Sequence, residues 1–248
     1  MPKKINIKGV IIPNDYKWIY DLFEIDNTSP RDVERALEEA NGEDIEVVIN
    51  SPGGDVFSGS EIYTLLKEHK GNSIGKIVGI AASAASIIAM GVDKLYISPT
   101  AEIMIHNVQS RAEGDYRDFE HEAGVLKDYN STIANAYMLK TGMSKKELLD
   151  LMDKETWLTP QQALEKGFVD EIMFNDGEIR LTASIKQSVM LPIEVINKMR
   201  SLKAKGLLNI KDDEDSINNP FISQQEKETD ILLVKLNLLK LKGEVDNE

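Results

Sequence analysis

Cysteine is absent from this 248-residue chain. That excludes disulfides, a thiolate zinc site and a cysteine nucleophile. It accords with a reducing cytoplasm, the compartment expected for the chain. An excess of positive charge is lacking too: 29 basic residues against 42 acidic ones leave −13. A nucleic-acid partner is therefore not expected, because neutralising phosphates needs a positive face. No apolar run reaches the ~20 residues that cross a bilayer, so no membrane span is expected. The longest candidate, Ile74 to Val92, contains Lys76 with several glycines and serines, and reads as a buried strand and helix. Met1 to Ile12 is too short and too charged for a signal peptide. There is no internal repeat. Histidine is scarce, at three residues, so each can be weighed singly.

What is present is an alternation of apolar strands and amphipathic helices. Ile5 to Ile12 reads as a first strand. Ser29-Pro30-Arg31-Asp32 has the N-cap serine, N1 proline and first-turn acid of a helix start. That helix is expected to end near Ala40, at Asn41-Gly42. Ile45 to Ile49 is a β-branched run, a buried strand broken by Ser51-Pro52-Gly53-Gly54. A helix over about 58–70, a strand over 74–80, a helix over 83–91 and strands near 94–97 and 102–106 follow. This order predicts a parallel sheet with helical crossovers. A long polar helix from Asp115 to Lys140 stops at Thr141-Gly142. Capping patterns at Ser144 and Thr159 open two more, and Phe168 to Met173 is the last strand expected. Past residue 180 the character changes. Residues 211–219 read as a polar linker, and 224–242 as a leucine-rich helix candidate.

One junction carries chemistry. Gly79-Ile80-Ala81-Ala82-Ser83-Ala84-Ala85-Ser86 sets a serine where a strand meets a helix N-terminus, a place of free N–H donors. Alone, Ser83 is more often a small residue needed for close packing, and Ser86 is expected to pack rather than react. About two dozen residues later, His106 ends the apolar strand Ile103-Met104-Ile105. His69, near a helix C-terminus, suits the dipole there, and His121 lies in a charged helix. His106 is thus the preferred base for Ser83, since a serine becomes a nucleophile only beside a base. Gly54 lets backbone approach a substrate carbonyl, and its N–H with that of Ala84 can form an oxyanion hole. A carboxylate to orient the imidazole is sought in Asp153-Lys154-Glu155-Thr156-Trp157, where charge alone does not choose.

Four segments together resemble the Clp protease proteolytic-subunit (ClpP) family of serine peptidases. They are residues 49–54, 79–83, 104–106 and 157–170, in the family's order and roughly its spacing. The resemblance implies the α/β ClpP/crotonase fold, of repeated ββα units with a parallel sheet and a handle helix. It implies Ser83 as nucleophile, His106 as base, and the Gly54 and Ala84 amides as oxyanion hole. The family's aspartate falls two residues before an aromatic, a position held here by Glu155, with Asp153 as runner-up. Residues 1–180 would form the peptidase domain, with the handle at about 107–151, and 181–248 a C-terminal extension.

No metal or organic cofactor is implied. The expected partners are a protein or peptide substrate and further copies of the chain, in a heptameric ring or double ring. The family's N-terminal axial loops are not expected here, because the chain enters its first strand almost at once. With that short front, the glutamate and the extension, the chain is similar to the ClpP-related head maturation proteases of phages and prophages. The substrate would then be a capsid or scaffold protein in the host cytoplasm. Alternatives are a degradative peptidase working with an unfoldase, a crotonase-like acyl-CoA enzyme, and a non-catalytic ring or scaffold. An α/β-hydrolase is disfavoured by the order Ser83, His106, Glu155 and by the lack of a G-x-S-x-G elbow.

Overall fold

Short-range signals set most of the elements. The computed structural model describes residues 2–174 and 193–204. Strand β1 (Lys3–Ile11) alternates buried Ile5 and Ile7 with exposed Lys4, Asn6 and Lys8. Helix α1 covers Lys17–Leu22 and strand β2 is the pair Asn27–Thr28, neither of them expected from the sequence. Helix α2 (Pro30–Ala40) begins where both the N–H and the Oγ–H of Ser29 donate to Asp32. It ends at Asn41, whose φ of 49° turns the chain left-handed.

Strand β3 spans Ile45–Gly54 and so runs on through Ser51-Pro52-Gly53-Gly54, which was expected to break it. The register shifts between Ile49 and Ser51, and Pro52 is paired with neither neighbouring strand. A residue without an N–H is tolerated in a strand where it stands outside the ladder. Helix α3 (Val56–Glu68) is capped by Asp55, which accepts from the Ser58 N–H at 2.7 Å. Strand β4 (Ser73–Ala82), helix α4 (Ala84–Ala89), strand β5 (Lys94–Ile97) and strand β6 (Glu102–Ile105) follow.

The long helix α5 (Tyr116–Thr141) stops at Gly142 with φ 72°. Helix α6 (Lys145–Asp153) and helix α7 (Pro160–Glu165) open on the capping boxes of Ser144 and Thr159. Between them lies β7 (Thr156–Leu158), a strand not expected from the sequence. The last strand among the described residues, β8, is just Glu171–Ile172, shorter than the expected 168–173. Helix α8 covers Ile193–Ala204.

The sheet runs β2-β1-β3-β4-β5-β8, with β6 pairing β4 beyond β5 and β7 pairing β6. Every pairing is parallel except β6 with β7. One sheet face carries Ile5, Ile7, Ile45, Val47, Ile49, Ile77, Leu95 and Ile97 into a core shared with Val33, Ile62, Leu66 and Ile88 of the helices. The other face bears the Lys76–Glu46 ion pair and leaves Ile74 37% and Val78 42% exposed.

Among the described residues, 2–17 with 26–174 belong to one compact unit and 18–25 with 193–204 to a second. In the second, Ile19, Tyr20, Ile196 and Met199 are buried. The expected linker at 211–219 and the leucine-rich stretch 224–242 lie outside the described residues. Among the described residues no helix is long and apolar enough to cross a membrane.

Candidate active site

Pairing register explains how distant residues meet. Strand β6 lies parallel to β4 with Ala82 opposite Met104, so the strands deliver Ser83 and His106 to the same C-terminal edge. The Ser83 N–H donates to the Met104 carbonyl at 2.9 Å, fastening the junction to β6. Ser83 itself has φ 53° and ψ −125°, outside the regions that an L-residue adopts freely. The strand-to-helix reversal thus turns on a strained backbone, a cost of order 1–3 kcal/mol borne only where surroundings over-determine it. Its Oγ lies 2.7 Å from His106 Nε2. For the hydroxyl to donate, Nε2 must be the unprotonated nitrogen and Nδ1 must carry the proton.

Two glycines close one side of the site. At Gly53, with φ 91°, an added Cβ would fall 2.7 Å from Ser83 Cβ and 2.9 Å from the Ala84 nitrogen. At Gly54, with φ 149°, it would meet the Ile11 carbonyl oxygen at 2.1 Å. Both positions demand glycine: Gly53 packs directly on the Ser83–Ala84 peptide and Gly54 on the Ile11 backbone of β1. The buried Ser51 supports this turn: its Oγ–H donates to the Gly9 carbonyl at 2.6 Å and its Oγ accepts the Gly53 N–H at 3.1 Å.

The carboxylates part company. Strand β7 runs antiparallel to β6 with Thr156 opposite Ile105, and continuing that register sets Glu155 opposite His106. Glu155 has φ 48°, and its Oε1 accepts from Trp157 Nε1 at 3.4 Å. Burial lowers the His106 pKa below its ordinary 6.5, and the Glu155 charge works in the opposite direction. Asp153 instead accepts the Asn107 Nδ2–H at 2.7 Å, tying the end of α6 to the residue after the histidine. Neither carboxylate bonds the imidazole: His106 Nδ1 is buried without a hydrogen-bond partner, as is Asn107 Oδ1. The Asn107 bridge escaped the sequence reading. An asparagine after an apolar strand has no periodic signature, and the adjacent His-Asn pair was its only trace.

The remaining candidates lie elsewhere. His69 is the residue capping the C-terminus of α3, its Nε2 2.7 Å from the Glu43 carbonyl. His121 is exposed on α5. Ser86 is buried and donates its hydroxyl proton to the Ser83 carbonyl at 2.6 Å.

A parallel α/β sheet that presents a serine–histidine pair at its strand ends belongs to the class of serine hydrolases. Comparison with known proteins is more specific. The Clp protease family model matches residues 33–176. The ATP-dependent Clp protease proteolytic subunit 2 of Tropheryma whipplei is 30% identical over 132 residues, covering 52% of this chain and 73% of that protein. The corresponding subunit of Deinococcus radiodurans is 30% identical over 140 residues, covering 56% of this chain and 69% of its own. A solved mutant of ClpP1 from Listeria monocytogenes superposes with a TM-score of 0.57 at 24% identity, over 70% of this chain and 92% of that one, a likeness of fold. The chain belongs to the Clp protease family and is a serine-type endopeptidase with the ClpP fold.

Proposed function

We propose that Ser83 is the nucleophile of this peptidase, His106 its general base and Glu155 the acid of the triad. The 2.7 Å contact between Ser83 Oγ and His106 Nε2 carries the reading. Ser83 Oγ attacks a peptide carbonyl while Nε2 takes its proton. The oxyanion is received by the amides of Gly54 and Ala84. His106 returns the proton to the departing amine, and water, deprotonated by the same nitrogen, releases the acyl group. Nδ1, protonated and buried without a partner, is the seat for the Glu155 carboxylate when substrate closes the site. The register that sets Glu155 opposite His106 favours it over Asp153, which is engaged by Asn107.

The pH profile tests the base. Neutral imidazole is the active form, and burial favours it. Activity therefore falls as pH drops through the His106 pKa, and kcat/KM against a fluorogenic peptide should show an acid limb with its midpoint below 6.5. Glu155→Gln should move that midpoint further down, because it removes the charge that favours imidazolium. An unmoved or raised midpoint would remove Glu155 from the triad.

The finer reading concerns substrate and assembly. A parallel sheet is ordinarily covered on both faces, yet one face here exposes Ile74 and Val78. Further copies of the chain, as a heptameric ring or double ring, are the proposed cover. Residues 1–180 form the peptidase domain in this reading, and 181–248 an extension that docks it on a capsid or scaffold protein in a host cytoplasm. Support comes from the glutamate at the acid position and from the stretch beyond residue 176 that the family model leaves unmatched. Mass spectrometry of the protein mixed with a major capsid precursor should show discrete cleavage products. A precursor left intact, while short peptides are hydrolysed, would point to degradative work with an unfoldase instead.

A further inference from the structure

The Ser83 carbonyl is held from inside the protein. It accepts the Ser86 N–H at 2.9 Å and the Ser86 Oγ–H at 2.6 Å. A carbonyl only accepts, so the single hydroxyl proton of Ser86 is committed to it. The 2.7 Å contact between Ser86 Oγ and the Tyr137 hydroxyl then has one sense, with Tyr137 donating. Ser86 is 0% and Tyr137 1% exposed. Tyr137 stands on α5, its ring 5.8 Å from that of Phe168. Burial raises the phenol pKa well above its ordinary value and so keeps the group in its neutral, donating form.

This run of hydrogen bonds ends on a residue whose backbone needs support. At φ 53° and ψ −125° Ser83 does not rest in an ordinary well. Its N–H is fixed by the Met104 carbonyl on the sheet side. Its carbonyl is fixed by Ser86 on the helix side, and Ser86 by Tyr137. With both flanking peptide planes fixed, the direction of Cβ and Oγ toward His106 is fixed as well. A hydrogen-bonded chain of this kind stiffens each member when all are satisfied.

We propose that Tyr137 is a positioning residue for Ser83, acting through Ser86, so that the long helix α5 takes part in aiming the nucleophile. The inference rests on the reading of Ser83 as nucleophile. Tyr137 touches neither substrate nor reacting atoms. Misplacing a reacting group by ~1 Å can cost ~10²-fold, and loss of one link in the chain should cost about tenfold.

The test uses the full chain with Tyr137→Phe, Ser86→Ala and the double variant. Peptide hydrolysis gives kcat and KM, a fluorophosphonate gives the labelling rate of Ser83, and thermal melting gives Tm. Tyr137→Phe should lower kcat about tenfold at unchanged KM and slow labelling by the same factor. Ser86→Ala leaves a buried phenol without an acceptor, so it should lower both rate and Tm. The double variant removes that orphan, and should regain Tm but not rate. If rate returns together with Tm, or if folded Tyr137→Phe works at full rate, the hydroxyl pair only satisfies buried groups and the inference fails. Should Tyr137→Phe not fold, Ser86→Ala and the double variant decide the matter. A wild-type protein that neither hydrolyses peptide nor labels at Ser83 is a separate outcome, and it sinks the nucleophile assignment and this inference together.

Discussion

Ser83→Ala is expected to abolish peptide hydrolysis, lowering kcat by on the order of 10⁶ as in other serine triads. No other group at the site replaces the missing oxygen. His106 Nε2 has no other partner to deprotonate except water. The proposed oxyanion donors, Gly54 and Ala84, would account only for a small residual rate over solvent, about 10³–10⁴. A fluorophosphonate should label the wild-type protein at Ser83 and leave the variant unmodified. The substitution also removes a hydrogen bond to a half-buried histidine, so folding must be checked by melting and by particle size. Alanine at φ 53° is no worse placed than serine, and the fold is expected to persist. Retained hydrolysis in a pure Ser83→Ala sample would assign the activity to another residue. Particle assembly that persists in a Ser83→Ala protein with no hydrolysis would favour a scaffold role.

The second large effect separates two acids that lie two residues apart. Glu155→Gln is expected to lower kcat by up to about 10⁴, the loss seen when the orienting acid of a triad becomes an amide. The amide oxygen accepts a hydrogen bond but carries no charge to offset an imidazolium. Asp153→Asn should cost less than about tenfold. The carboxylate of Asp153 accepts from Asn107 Nδ2 in the folded chain, and the replacing amide still accepts there through its oxygen. Parallel measurement of kcat for both variants decides the question. A large loss at Asp153 with little at Glu155 would exchange their roles. Glu155→Asp is informative too, because the shorter side chain must reach Nδ1 from the same left-handed backbone position.

The two acids also show how far a one-dimensional reading goes. Residues 153–157 gave no sign of a strand, because two acids and a lysine in five positions carry no period. In the folded chain Thr156–Leu158 is a strand, antiparallel to β6. That pairing depends on where α6 ends and on Leu158 being buried, neither of which is local. By contrast, the starts of α2, α5, α6 and α7 were legible to the residue or nearly so. Caps act over three or four positions: the side chains of Asp115, Ser144 and Thr159 each accept an N–H of their own helix, and Ser29 donates to Asp32 of its first turn. Ser51-Pro52-Gly53-Gly54 was misread as a break for the same reason in reverse. Proline and glycine signal interruption locally, yet β1 and β4 hold the segment on either side and absorb the irregularity as a register shift.

Composition and periodicity were enough for an all-thiol-free α/β chain, the order of its main strands and the residue types from which a serine-based hydrolase is built. Distance was not among those properties. That Ser83 Oγ and His106 Nε2 stand 2.7 Å apart follows from β6 crossing to pair with the far end of β4. That Asp153 faces Asn107, that Nδ1 lacks a partner and that Tyr137 reaches the Ser83 carbonyl through Ser86 follow from packing between helices and strands remote in sequence. Secondary structure answers to neighbours within a few residues, whereas hydrogen-bond geometry at a site answers to every element that converges on it.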